Sequence, residues 1–248
     1  MRGRRSQVGR GLVGRGALAV AVAGLAVVAP VPAGTAPPAE AASVLAHWEM
    51  SEAPGDTVLH DASGNGAHGT IGSAVMPTGL GHLHWSNVKP NEPPAKPERL
   101  VLVDDARLNP GTRDYAVTFR YRTTRSFGNI LQKGQATTRG GQWKVQLPKG
   151  HVSCLYRGAE GRRAIKTSGT YNDGQWHTVR CARTSTRVTV SVHDQSGVLQ
   201  ESKRINGPTG DLSNHYAVTM GGKQQCDQIT VTCDYFAGDI DWVRIEAG

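Results

Sequence analysis

The sequence predicts an all-β chain folded as a sandwich or barrel of short antiparallel strands. Three observations carry that reading. Helical periodicity is nearly absent along the 248 residues. Short runs of alternating or β-branched residues recur in its place. Gly, Asn, Asp and Pro punctuate those runs, with 31 Gly and 13 Pro in the chain, and many short strands at such spacing make a sandwich or barrel.

The first 41 residues stand apart from that pattern. Arg2, Arg4, Arg5, Arg10 and Arg15 form a basic start, residues 16–31 are almost wholly Ala, Val, Leu and Gly, and Ala39-Glu40-Ala41 is the small-x-small pattern of a signal-peptidase site. The expectation is a signal segment over 1–41, cleaved after Ala41. The apolar run is short for a membrane span, which needs about 20 residues. Ser6-Gln7-Val8 after Arg4-Arg5 lacks the apolar pair expected for twin-arginine export, so ordinary secretion is expected.

The remaining domain, 42–248, begins with a predicted strand over 44–50. Asp61 and Ser63 can accept bonds from nearby backbone amides, and Asn65-Gly66 is a tight-turn pair. A proline-rich stretch over 90–97 reads as a surface loop, because the residues before it are too few for a separate domain. Further strands are predicted over 100–103, 115–122, 129–132, 142–147, 152–156, 176–183, 188–193, 198–205, 216–220, 228–232 and 239–246. Phe236-Ala237-Gly238 suits close backbone approach. Along the last strand Val243 and Ile245 share one face, Trp242 and Arg244 the other.

Composition sets limits on partners. Removing residues 1–41 takes five Arg and Glu40 with it, lowers the formal net charge from +8 to +4 and leaves 207 residues. That suits one large sandwich with a modestly positive surface, compatible with an anionic polysaccharide or cell-wall polymer. No Lys/Arg cluster interleaved with aromatics is present, so nucleic acid is not an expected partner.

Three stretches carry a resemblance: Asp61-Ala62-Ser63-Gly64-Asn65-Gly66 with His68-Gly69, then Asp173-Gly174-Gln175-Trp176-His177-Thr178-Val179, then Phe236-Ala237-Gly238-Asp239-Ile240-Asp241-Trp242-Val243-Arg244-Ile245. In this order, with the opening strand at Trp48, they resemble the laminin G-like jelly roll, a concanavalin A-like two-sheet antiparallel β-sandwich. Gly128-Asn129-Ile130-Leu131-Gln132-Lys133-Gly134 and Gly221-Gly222-Lys223 resemble a small secreted actinobacterial subgroup. The resemblance implies a binding module for glycans or proteins and names no reaction. It also implies that the first and last strands of the domain lie side by side.

Four cysteines in an exported chain suggest two disulfides. The favoured pairing is Cys154–Cys181, joining two predicted strands, and Cys226–Cys233, closing a hairpin-like segment. A zinc site fails on spacing, since no two cysteines are two to four residues apart. Jelly-roll binding modules can also carry calcium, and Asp61, Asn65, Asp239 and Asp241 supply suitable oxygens. The competing reading makes Asp61 and Asn65 turn formers and the other two solvated or capping residues.

Motifs for chemistry are missing. No Glu-x-Asp-x-Glu strand of a sandwich glycoside hydrolase occurs, and Asp239-x-Asp241 is the nearest approach. Gln175-Trp176-His177 imitates part of a lyase site without the matching Tyr-x-Lys, and His177 is expected beside the core. Neither Gly-x-Ser-x-Gly nor His-Glu-x-x-His is present. Sugar binding needs aromatics on an accessible face. Trp143, Tyr121, Tyr156 and Trp85, with Tyr171, are the candidates, and Trp143 between Gln142 and Lys144 is the leading exposed platform. Trp48 and Trp176 are assigned to the core. The expectation is a secreted, non-catalytic module that binds glycan or cell-wall polysaccharide. The rivals are a polysaccharide-degrading enzyme on the same fold and a domain that adheres to an extracellular protein.

Overall fold

The computed structural model describes residues 42–89, 91–226 and 233–248. The predicted signal segment, Pro90 and the predicted strand over 228–232 lie outside the described residues. The described part is an antiparallel sandwich of two eight-stranded sheets. In chain order its strands are β1 (Ser43–Trp48), β2 (Val58–Leu59), β3 (Gly69–Ile71), β4 (Val75–Pro77), β5 (Leu83–Trp85), β6 (Val101–Val103), β7 (Tyr115–Arg122) and β8 (Asn129–Lys133). Then come β9 (Gln142–Gln146), β10 (Ser153–Gly158), β11 (Gly161–Lys166), β12 (His177–Arg183), β13 (Arg187–His193), β14 (Leu199–Asn206), β15 (Val218–Met220) and β16 (Gly238–Ala247).

Sheet A has the order β14-β13-β12-β7-β16-β5-β4, with β1 also on β16. Sheet B has the order β11-β10-β9-β8-β15-β6-β3-β2. The ten-residue β16 organises sheet A. One side pairs with β7 along its length; the other pairs with β5 over 238–240 and with β1 over 243–247. The first and last strands of the domain are therefore neighbours, as the resemblance implied.

Period-two alternation builds the core between the sheets. Val117, Phe119 and Tyr121 of β7 point inward, as do Val179 and Cys181 of β12 and Val243 and Ile245 of β16. From sheet B come Val101, Leu131, Trp143, Val145, Cys154, Tyr156, Val218 and Met220. Cys154 on β10 is bonded to Cys181 on β12, with Cα atoms 5.7 Å apart, so this bridge ties one sheet to the other. Cys226 and Cys233 form the second bridge, at 4.3 Å.

Candidate functional site

The outward positions of sheet A form ordered cross-strand rows. One row is Arg122 on β7, Asp239 on β16, His84 on β5 and Met76 on β4. The next is His193, Thr178, Arg120 and Trp242. A third is Ser191, Arg180, Thr118, Arg244 and His47. A bulge between Ile240 and Trp242 inserts Asp241, so Asp241 and Trp242 are successive residues that are both half-exposed. Bulges re-aim side chains in this way.

Trp176 precedes β12 and lies over this face. Its ring is 4.9 Å from the Arg120 guanidinium carbon and 4.6 Å from that of Arg122, and His82 meets it edge-on at 5.8 Å. Cation–π contact of this kind orients all three groups. Trp242 meets His47 edge-on at 6.3 Å. Three clefts adjoin along the face. The first, about 270 Å³, includes His84, Arg122, Arg125 and Asp239. The second, about 320 Å³, shares Arg122 with it and adds Arg120, Trp176 and Asp241. The third, about 460 Å³, shares Asp241 with the second and adds His47, Trp242 and Arg244.

Ion pairs hold the polar floor in place. One Asp239 oxygen accepts from Arg122 Nε at 2.6 Å, and the other is 2.6 Å from His84 Nδ1. Arg120 pairs with Asp241. These pairs are partly exposed, so their value lies in positioning more than in stability. Gly238 permits the approach of β16 to β7: its φ is +143°, and a Cβ there would stand 2.4 Å from the Arg122 carbonyl oxygen.

The aromatic candidates predicted from sequence are elsewhere. Trp143, Tyr121, Tyr156 and Trp85 are at most 3% exposed and line the core, which corrects their expected place on an accessible face. Tyr171 is also buried. Alternation explains each case: Trp143 shares a face with inward Val145, Tyr121 with Phe119, Tyr156 with Cys154 and Trp85 with Leu83. Three of the polar tips are used internally: Tyr121 Oη donates to the Tyr171 carbonyl at 2.8 Å, Tyr156 Oη to that of Cys181 at 3.0 Å and Trp85 Nε1 to that of Arg99 at 3.1 Å. Trp176, assigned to the core from sequence, lies half-exposed on the open face, whereas Trp48 is fully buried as expected. The missed signal was the same alternation: His177, Val179 and Cys181 point inward, which turns Trp176 the other way. His177 is buried beside the core, 2.9 Å from an Asp173 oxygen.

Asp61, Asn65, Asp239 and Asp241, the residues expected to supply oxygens to calcium, all have hydrogen-bond or ion-pair partners within the chain. Asp61 accepts from the backbone N–H of His47, Ser63 and Ala67 at 2.9–3.0 Å and from the Ser63 hydroxyl at 2.8 Å. Burial acts to raise its pKa, but these bonds outweigh it and hold the carboxyl down to about 2. Asn65 donates its amide to the Val44 and Leu45 carbonyls. Asp239 and Asp241 are matched to arginines. Among the described residues no group of three His, Cys, Asp or Glu side chains is placed to hold a metal.

The fold and site define a laminin G-like jelly-roll sandwich with an open, aromatic and charged sheet face. The laminin G domain model matches residues 121–247, and the chain belongs to the laminin G domain family. No curated protein sequence matches the chain. Among solved structures it is similar to domain 4 of AbnA, an extracellular arabinanase from Geobacillus stearothermophilus, in complex with arabinotriose. That match has a TM-score of 0.57 and 16% identity, covering 84% of this chain and 93% of that one. It is also similar to botulinum neurotoxin type C, whose cell entry depends on interaction with two ganglioside molecules, at TM-score 0.53 and 11% identity over 83% of this chain and 46% of that one. Domains LG4-5 of the mouse laminin alpha1 chain match at TM-score 0.44 and 17% identity, over 57% of this chain and 41% of theirs. The chain thus spans less than half the length of that laminin structure.

Proposed function

We propose that this chain is an exported recognition module that binds glycan or cell-wall polysaccharide along the open face of sheet A. The observation that carries the reading is the placement of Trp176 and Trp242. Trp176 covers Arg120, Trp242 is the cross-strand partner of Arg120, and both are half-exposed beside adjoining clefts that share Asp241. Sugars are held by aromatic surfaces with polar groups beside them, and arginines, aspartates and histidines supply those here. The arabinotriose complex of the arabinanase domain and the ganglioside interaction of the toxin support a glycan as ligand for a sandwich of this shape. Two disulfides among the described residues suit an oxidising, extracellular setting. The 1–41 signal pattern supports export, and among the described residues no helix is long and apolar enough to cross a membrane.

The test is calorimetric titration with soluble arabinan, xylan and polygalacturonate, with product analysis of the same mixtures. Binding of at least one polymer without release of shorter sugars is the expected result. Binding to none of them, or cleavage of any, would overturn the reading.

A further inference from the structure

One end of the groove brings two arginines and an asparagine amide together. The about 270 Å³ cleft there is bounded by His84, Asn87, Arg122, Thr124, Arg125 and Asp239. Its one carboxylate is already committed: Asp239 uses one oxygen on Arg122 Nε and the other on His84 Nδ1. Those bonds leave the two terminal nitrogens of Arg122 as donors for other partners. The Arg122 plane is fixed from above by Trp176 and along its Nε edge by Asp239. Arg125 donates to Asn87 Oδ1, which fixes that amide so that its NH2 remains a donor. An acceptor with several lone pairs suits such a pocket, and a fixed guanidinium edge matches an oxyanion in bidentate fashion.

We propose that this cleft is a subsite for an oxyanion, the carboxylate of a uronic acid or the phosphate of a polyol-phosphate polymer, so that the module prefers acidic glycans. The proposal rests on the groove reading for the polymer, but the subsite can be tested without it. Asp239 is a positioning residue here, Arg122 and Arg125 contact the anion, and His84 borders the cleft as a reporter of its occupancy. Gly238 lets β16 approach β7 closely at this end, next to the Asp239–Arg122 pair.

Sodium glucuronate, glycerol 1-phosphate and methyl glucoside are titrated at constant ionic strength while the His84 imidazole resonances are followed by NMR. Saturable shifts with the two anions and none with the neutral sugar are expected. Arg125→Ala, at a half-exposed side chain outside the core, is expected to weaken the anions about tenfold, the loss of one charge-assisted contact, with an unchanged melting temperature. Shifts that do not saturate, or that persist equally in Arg125→Ala, overturn the subsite. A polymer arm then compares polygalacturonate, poly(glycerol phosphate) and neutral arabinan, and separates the carboxylate from the phosphate source. Neutral polymer bound as tightly as both acidic ones refutes the preference but leaves the groove intact. Saturable anion shifts with no polymer bound keep the subsite and refute the groove.

Discussion

At Asp61 two carboxylate oxygens accept four hydrogen bonds and close the loop behind β1. This is hydrogen bonding to the charged form, and it holds the carboxyl near 2 against a usual 3.8. The consequence for stability has a definite sign. A depressed folded-state pKa contributes stability above the unfolded value, and the contribution is lost as pH falls from 3.8 towards 2. It amounts to about 2 kcal/mol. Chemical denaturation of wild type and Asp61→Asn across that range should show a wild-type advantage at pH 5–7 that shrinks on acidification. An advantage independent of pH would contradict the account. Gly238 is a second residue on which the architecture turns. In Gly238→Ala the new methyl meets the Arg122 carbonyl oxygen, so the β16–β7 pairing must shift. A loss of at least about 2 kcal/mol in urea denaturation is expected, with displaced Arg122 and His84 resonances.

Strands differ in how plainly the chain announces them, and the difference is physical. The predicted strand over 115–122 is β7 to the residue, because its inward Val117, Phe119 and Tyr121 alternate with outward Thr118, Arg120 and Arg122. The predicted strand over 188–193 matches β13 to within a residue for the same reason. β2, β3 and β4 were not predicted, since two or three residues are too few to show a period. β11, Gly161–Lys166, is an edge strand rich in Arg and Lys, a composition that protects an edge from pairing and hides it from a hydrophobic pattern. The site was less legible than the fold. Its residues come from β5, β7, β16 and the segment before β12, and only the register brings them together. Both bridges, by contrast, followed the favoured cysteine pairing. They should not contribute equally. Cys154–Cys181 spans 27 residues and joins the two sheets, while Cys226–Cys233 spans 7. Replacing the first pair with alanine is expected to cost about 3 kcal/mol in denaturant and the second about 2 kcal/mol, since the wider loop restrains the unfolded chain more. Equal losses would contradict the dependence on loop length.

For the molecule as a whole, one sheet face is open and chemically organised. Its grooves join a pair of tryptophans to a floor of arginines and aspartates in ion pairs. The core aromatics serve stability and offer no ring face to a ligand. The division of labour therefore predicts two separate phenotypes. Core substitutions such as Trp143→Ala lower stability by about 3–5 kcal/mol, read as a fall in melting temperature. Open-face substitutions lower affinity and leave the fold in place. The most direct measurement is the affinity of Trp176→Ala and Trp242→Ala, singly and together, for whichever of arabinan, xylan and polygalacturonate the wild type binds. Each single change should weaken binding about tenfold, as expected for loss of an aromatic stacking contact of 1–2 kcal/mol, with wild-type melting. Wild-type affinity in the double variant would contradict the account.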